Sequence, residues 1–262
     1  MQLHDTRYGQ DGPPVAFCHG LFGQGKNWTI IGKKVAEQHR VVLIDMPNHG
    51  RSPWTRDFDY VEHADIVADH LRRIDPGPWR LVGHSMGAKI SMMLALRHPE
   101  LVQRLVVVDM SPVTYPSGSQ LQDFANAMLQ LDLGSLRRRH HVDKALQPVV
   151  PSETVRSFLL QNLHRKDHQW SWQLNLRMLA EQVDRVLGWP QVEATFGKPV
   201  LWIGGEHSVY IREEFHDDMR ALFPQTLRVT VKGAGHWVHS EKPSAFEQVL
   251  VPFLDGPPAA ST

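Results

Sequence analysis

The sequence lacks most of the features that would assign it to a specialised class of protein. It has a single cysteine, Cys18, so no internal disulfide can form, and this count fits a reducing compartment. Its 28 basic and 28 acidic side chains cancel, which gives no electrostatic reason to expect nucleic acid or an anionic membrane as a partner. No apolar run approaches the roughly 20 residues of a transmembrane helix, and the first ten residues lack the pattern of a secretory signal. We therefore expect a cytoplasmic protein that binds neither nucleic acid nor membrane.

Length and composition are those of an ordinary globular protein. The chain has 262 residues, of which 42% are hydrophobic and 21% charged. This length suits one α/β domain with an inserted lid. The last seven residues, 256–262, are rich in proline and small side chains and are expected to be disordered. The sequence leaves open whether the protein is a monomer or a homodimer.

The first half of the chain alternates short apolar runs with helical spacing. The spacing predicts helices over residues 60–74 and 88–97. Strands are predicted at residues 15–18, 41–44, 79–82 and 105–108. Because such alternation is typical of a parallel sheet covered on both faces, we predict an α/β fold whose ligand site lies at the carboxyl ends of the strands.

The pattern changes in the middle of the chain and then returns. Residues 120–188 show helical spacing and no convincing strand, and they include a predicted tryptophan-rich helix at 170–187. Strands are expected again at 199–203 and 227–231, followed by an amphipathic helix at 243–254. We therefore predict a core of residues 1–112 and 190–255, and a helical cap of residues 113–189 that covers the carboxyl ends of the strands.

Two groups of cap residues are candidates for ligand binding. His164 and His168 are four residues apart, as in some metal-binding helices, but they have no obvious third ligand, so we expect no metal. Trp170, Trp172 and Leu176 could line an apolar pocket, or they could simply pack the cap onto the core.

The pentapeptide Gly83-His84-Ser85-Met86-Gly87 lies between a predicted strand and a predicted helix. In that context G-x-S-x-G forms a sharp turn that exposes the serine hydroxyl above the sheet, and both glycines avoid collisions with neighbouring backbone. The following helix begins at the serine, so its N-terminus stabilises developing negative charge. Ser85 is the predicted nucleophile.

Four motifs in order give the chain a family resemblance. They are His19-Gly20, DMPNHGRS at 45–52, GHSMG at 83–87 and GAGHW at 233–237. Over essentially its whole length the sequence resembles the α/β-hydrolase superfamily, and most closely the small esterase branch of bacterial YbfF-type and mammalian ABHD11-like proteins. This resemblance implies an α/β-hydrolase fold with a mostly parallel central sheet, flanking helices and a helical cap. It also implies a small-molecule acyl ester as substrate and no cofactor.

A serine nucleophile needs a neighbouring imidazole, which accepts its proton and later protonates the leaving group. His236 follows the predicted last strand in a glycine-rich loop, and the chain order serine, acid, histidine is the one this fold uses. Two acids remain open as its partner. Most of the superfamily places the acid after the strand at 199–203, where this chain has Glu206. This chain resembles the YbfF-like branch in a different arrangement, with the acid at Asp109 and a serine at Ser208, and we favour Asp109. Ser208 could add a hydrogen bond to His236, or it could be an ordinary loop serine.

An oxyanion hole needs two backbone amides. One is expected from Met86, which follows the nucleophile, and by family resemblance the other comes from Leu21, with Phe22 as the alternative. His19, Asp45 and His49 are expected to hold loop geometry rather than to react.

These residues predict a serine hydrolase that cleaves esters of short or medium acyl chains through an acyl-enzyme on Ser85. The same triad could hydrolyse acyl-CoA or other thioesters, or pass the acyl group to an alcohol or to peroxide. The sequence does not separate these acceptors, because acceptor choice depends on pocket shape and water exclusion. A third hypothesis is a non-catalytic ligand-binding protein on the same fold, although the full candidate triad argues against it.

Overall fold

The computed structural model describes residues 1–117, 120–136, 138–167 and 169–256. Of the tail expected to be disordered, residues 257–262 lie outside the described residues. The strands are β1 (Asp5–Tyr8), β2 (Pro14–Cys18), β3 (Arg40–Ile44), β4 (Trp79–His84), β5 (Val102–Val108), β6 (Leu163–Lys166), β7 (Gln169–Trp172), β8 (Val200–Gly205) and β9 (Thr226–Val231).

Seven of these strands form one central sheet in the order β1-β3-β2-β4-β5-β8-β9. Strand β1 pairs antiparallel with β3, and all other neighbours in this sheet are parallel. This arrangement confirms the predicted α/β fold. It also brings the carboxyl ends of β2, β4, β5, β8 and β9 to one edge of the sheet.

The helices are α1 (Thr29–Val35), α2 (Tyr60–Ile74), α3 (Met86–Arg97), α4 (Gln120–Leu129), α5 (Arg139–Leu146), α6 (Glu153–Leu159), α7 (Leu176–Glu181), α8 (Val183–Leu187), α9 (His216–Leu222), α10 (Val238–Glu241) and α11 (Pro243–Asp255). Short 3₁₀ turns lie at Gly25–Trp28, Pro99–Leu101, Leu160–Asn162 and Glu213–Phe215. Within the described ranges, no helix combines the length and the apolar character that crossing a membrane would require.

The two faces of the sheet have separate apolar cores because side chains alternate along each strand. On β2, Val15 and Phe17 belong to the cluster that contains α1 and α11. Ala16 and Cys18, between and after them, belong to the cluster that contains α2 and α3. Consecutive apolar residues on β2 thus face opposite cores, as the sequence predicted for a sheet covered on both sides.

The predicted helix at residues 170–187 is wrong in its first part. Residues 169–172 form β7, which pairs antiparallel with β6, and helix begins only at Leu176. The segment Gln169–Trp172 alternates polar and aromatic side chains, which is the period of a strand, and Asp167 supplies a positive φ of 49° in the turn. The hairpin was missed because the helical spacing farther along the chain was extended back over it.

The inserted segment 113–189 is bound at both ends by one residue of α3. The buried Lys89 Nζ atom lies within hydrogen-bond distance of the carbonyl oxygens of Val113 (2.9 Å), Leu187 (2.8 Å) and Gly188 (2.7 Å). The Tyr115 amide also donates to the Leu187 carbonyl, at 3.0 Å. Burial lowers the pKa of Lys89 to about 7. The division into core and cap stays a prediction, but its two predicted boundaries meet at this lysine.

Candidate active site

Ser85 lies at the turn between β4 and α3 with a strained backbone, φ 53° and ψ −120°. A Cβ at Gly83 would lie 2.5 Å from the Gly87 carbonyl oxygen, and one at Gly87 would lie 2.4 Å from the His19 carbonyl oxygen. Both glycines are therefore required by close backbone contacts. The Ser85 amide donates to the Val108 carbonyl at 3.1 Å, which fixes the turn against β5. A positive φ at a non-glycine residue indicates strain that the surrounding packing holds in place.

The structure brings His236 and Asp109 together at the same sheet edge. His236 Nδ1 donates to Asp109 Oδ2 at 2.7 Å. Asp109 is completely buried, at 0% exposure, whereas the His236 side chain retains 17%. The Asp109 Oδ1 atom also accepts the Gly205 amide at 3.0 Å, so β8 fixes the orientation of the carboxylate.

Of the two candidate acids, only one faces the imidazole. The Glu206 carboxylate is directed at the following loop instead, where it accepts the Gly233 amide at 2.8 Å. Ser208 Oγ donates to Asp109 Oδ2, the oxygen that also faces His236. The geometry therefore favours the Asp109 and Ser208 arrangement over Glu206.

The backbone amide of Leu21 is available at the site, and that of Phe22 is not. The Phe22 amide donates to His49 Nε2 at 3.2 Å, so the geometry favours Leu21 over the alternative of Phe22. Among the described residues, no acceptor is bonded to the Leu21 amide. Gly20 lies against Ser85, since a Cβ there would be 3.0 Å from Ser85 Cβ. The Met86 amide opens α3 and has no partner within the helix, as is usual in a first turn.

His19, His49 and Asp45 hold loops by hydrogen bonds. His19 Nδ1 donates to the Gly20 carbonyl and Nε2 accepts the Met46 amide. His49 Nδ1 donates to the Pro47 carbonyl, and burial lowers the pKa of His49 to about 3, which keeps it neutral. Asp45 accepts the amides of Gly25 and Arg51. These contacts agree with the structural roles expected from the sequence.

A small apolar cavity of about 20 Å³ lies over Ser85 and His236. The cap contributes one wall of it and the loops after β2, β4 and β9 contribute the other. Its lining consists of Gly20, Leu21, Phe22, His84, Ser85, Leu121, Phe124, Val155, Phe158, Leu159, His236 and Trp237.

The three cap residues singled out from the sequence lie outside this lining. Trp170 and Trp172 are on β7, and the Trp172 indole nitrogen donates to the Met128 carbonyl at 3.1 Å. Leu176 is buried at the start of α7. The packing alternative for these residues therefore describes them better than the pocket alternative.

Two contacts of His236 were not predicted from the sequence. The Tyr210 ring packs on the imidazole with a centroid separation of 4.3 Å, and its carbonyl accepts the Tyr115 hydroxyl at 2.6 Å. His84 Nε2 donates to the His236 carbonyl at 2.9 Å, and burial holds the pKa of His84 well below its usual value. Tyr210 stands only two residues after Ser208, but nothing in its local sequence indicates that it covers the histidine.

The described residues include no group of three or more His, Cys, Asp or Glu side chains placed to hold a metal ion. Of the histidine pair considered as metal ligands, His164 lies on β6 and not on a helix. His168 lies outside the described residues, so the pair is not tested.

Comparison with known proteins identifies the family. The model of the alpha/beta hydrolase fold family matches residues 13–243. The sn-1-specific diacylglycerol lipase ABHD11 of Mus musculus is 39% identical over 248 residues, which span 92% of this chain and 81% of that protein. Esterase YbfF of Escherichia coli strain K12 is 32% identical over 246 residues, or 92% of this chain and 93% of that protein.

A solved structure described as a marine microorganism esterase superimposes with a TM-score of 0.93 at 29% identity and covers 96% of this chain and 99% of that one. The match thus extends over sequence and fold together. The chain belongs to the α/β-hydrolase family, within the branch that resembles YbfF and ABHD11, as a carboxylesterase-type hydrolase.

Proposed function

We propose that the protein is a serine carboxylesterase that forms an acyl-enzyme on Ser85. The observation that carries the proposal is the 2.7 Å hydrogen bond from His236 Nδ1 to the buried Asp109 carboxylate, in a site whose cavity is lined by both His236 and Ser85. This bond fixes the imidazole tautomer with a free Nε2 atom, which is the form that accepts a proton.

In the proposed reaction, Ser85 Oγ attacks the ester carbonyl carbon while His236 Nε2 accepts the hydroxyl proton. The carbonyl oxygen becomes negative and is stabilised by the amides of Leu21 and Met86. Collapse of this intermediate breaks the bond to the alcohol oxygen, which takes the proton from His236. Water then repeats the sequence, and its attack releases the carboxylic acid and restores Ser85.

The volume and lining of the cavity favour short or medium acyl chains. Its volume of about 20 Å³ is far below that of an ordinary small-molecule pocket, so a long acyl chain would not fit without movement of the wall. Phe124, Val155, Phe158 and Leu159 offer apolar surface to a hydrocarbon chain. The proposed substrate is therefore a small-molecule ester with a short or medium acyl group. A cytoplasmic location and a monomeric or homodimeric state remain predictions from the sequence.

The test is hydrolysis of a series of p-nitrophenyl esters from acetate to palmitate by the wild type and by Ser85→Ala. We expect the substitution to lower kcat by at least about 10⁴-fold, because no other group replaces the nucleophile. The exposed cap residue Ser135 provides a matched control, and Ser135→Ala should retain wild-type activity. Wild-type rates in Ser85→Ala would refute the mechanism.

Two further measurements separate the alternatives that share this site. Labelling of the wild type by a fluorophosphonate, and its loss in Ser85→Ala, distinguishes an enzyme from a non-catalytic binding protein. Product analysis with added ethanol, hydrogen peroxide or an acyl thioester then identifies the acceptor and the leaving group. Acyl transfer in preference to hydrolysis would retain the acyl-enzyme but overturn the assignment as an esterase.

A further inference from the structure

The cap contacts the loop that carries the proposed oxyanion amide. We define the oxyanion loop as residues 20–24. Asn162, at the end of the 3₁₀ turn after α6, is completely buried at 0% exposure. Its Nδ2 atom donates to the Phe22 carbonyl at 2.6 Å, and its Oδ1 atom accepts from Gln24 Nε2 at 2.9 Å. One cap side chain therefore binds both the middle and the end of the oxyanion loop.

The Phe22 carbonyl is connected to the oxyanion amide through two rigid peptide planes. The carbonyl of Phe22 and the amide of Gly23 belong to the same planar peptide unit, so holding one aims the other. The Gly23 amide donates to the Gly20 carbonyl at 2.9 Å. The Gly20 carbonyl in turn shares its peptide plane with the Leu21 amide, which therefore points away from this hydrogen bond.

The loop cannot reach this conformation without constraint. Phe22 has a φ of 60°, which is unfavourable for an aromatic residue. Its amide is held by His49 and its carbonyl by Asn162, so hydrogen bonds fix both sides of the strained residue. Removal of the Asn162 donor would leave the buried Phe22 carbonyl free to rotate, and the Gly23 and Leu21 amides would rotate with it.

We infer that Asn162 is a positioning residue for the oxyanion hole, through which the cap holds the Leu21 amide in the orientation that the transition state needs. This inference rests on the proposed function, because it assumes that the Leu21 amide stabilises the oxyanion. It assigns to the cap a direct part in the rate of the reaction, in addition to its part in the pocket wall.

The test compares Asn162→Leu with Gln161→Ala. Leucine has nearly the shape of asparagine but cannot donate to Phe22. Among the residues that the structure describes, the neighbouring Gln161 side chain accepts only from Asn27, so its removal leaves the Phe22 contact intact. Because complete loss of one oxyanion donor lowers kcat by about 10²–10³-fold, we expect a misaligned donor to lower kcat by about 10- to 100-fold in Asn162→Leu. KM for p-nitrophenyl butyrate should change less than about 3-fold, since ground-state binding is unaffected. Gln161→Ala should match the wild type.

Inhibition constants of two inhibitors distinguish a misplaced Leu21 amide from a general displacement of the cap. A trifluoromethyl ketone forms a tetrahedral adduct with the serine and needs the oxyanion hole, whereas butyrate, the product, does not. In Asn162→Leu the inhibition constant of the ketone should rise by the same factor by which kcat/KM falls, and that of butyrate should stay constant. Parallel weakening of both inhibitors would overturn the inference, because it would indicate a damaged pocket.

Folding and mechanism are controlled separately. If Asn162→Leu does not give the circular dichroism spectrum of the wild type, Asn162→Ala replaces it, since this variant also removes the donor to the Phe22 carbonyl and places no larger apolar side chain beside Gln24. A folded variant of either kind with wild-type kcat would refute the role of Asn162. An active Ser85→Ala protein would instead refute the proposed function, so the two failures are distinguishable.

Discussion

The strand ends and the cap contribute different things to the same cavity. The residues to which we assign chemical roles follow β2, β4, β5 and β9. Backbone hydrogen bonds at the sheet edge fix them, such as that from the Asp109 amide to the Ile203 carbonyl at 2.9 Å. The cap supplies mostly apolar side chains, including Phe124 and Phe158. We therefore expect substitutions at the strand ends to alter kcat, and substitutions in the cap wall to alter which substrates are hydrolysed. Asn162 is the exception that we infer.

The largest effect is expected at the acid of the triad. Asp109→Asn retains the size of the side chain but removes the charge and favours the wrong histidine tautomer, so kcat should fall about 10³–10⁴-fold. Glu206→Gln makes the same chemical change two residues before Ser208 and should lower kcat less than about 3-fold, because its carboxylate faces the Gly233 amide and the exposed His207 rather than His236. Steady-state kinetics of both variants checks the assignment. A larger loss in Glu206→Gln than in Asp109→Asn would reverse it.

The next largest effect is expected at Lys89, where both ends of the cap join the core. Lys89→Met removes the donor to the carbonyls of Val113 and Gly188, and the Leu187 carbonyl keeps only the Tyr115 amide. We expect the free energy of unfolding to fall by about 3 kcal/mol, because these buried or half-buried acceptors lose hydrogen bonds. Urea denaturation measures the change. Exposed Lys144 on α5 offers the control, and Lys144→Met should leave stability unchanged within about 0.5 kcal/mol.

The same variant should also alter the pH dependence of stability. The pKa of Lys89 is lowered to about 7 from 10.5, so between these values the unfolded chain binds the proton and the folded protein does not. Lys89 therefore makes the wild type more stable as pH rises, by about 1.4 kcal/mol per pH unit. The methionine variant lacks this slope, so the stability difference between the two proteins should grow from pH 7 to pH 10. A constant difference would contradict a neutral Lys89 in this range.

The smallest effect is expected in the cap wall. Phe158→Ala enlarges the cavity, so a longer acyl chain can bury a few additional methylene groups. We expect the ratio of kcat/KM for p-nitrophenyl octanoate to that for p-nitrophenyl acetate to rise about 10-fold. The exposed cap residue Val149 provides the control, and Val149→Ala should leave this ratio unchanged. An unchanged chain-length profile in Phe158→Ala would mean that the acyl chain occupies another part of the site.

The two regions also differ in how far the sequence predicts them. The sheet strands were predictable because apolar runs end at glycine, serine or aspartate, and Ser85 was recognisable because its two glycines are dictated by local backbone contacts. The β6–β7 hairpin was missed, since four-residue strands in a segment of helical spacing leave little periodic signal.

The polar contacts between regions were missed for a different reason. Lys89 and Asn162 bind carbonyl groups 24 to 140 residues away in sequence. Local spacing carries no information on such partners, because any lysine or asparagine can bind a carbonyl that tertiary structure brings near. Glu206 remained open beside Asp109 for the same reason, and only the positions of the carboxylates distinguished them.

The meeting of both ends of the inserted segment at Lys89 has a consequence for how the protein can change over time. With the Tyr115 amide only 3.0 Å from the Leu187 carbonyl, a short turn would close the gap if the segment were removed, and a different segment could be spliced in at the same two points. The strands would keep their register during such an exchange. New substrate preferences can therefore arise by recombination at one joint, while the reacting groups are inherited unchanged.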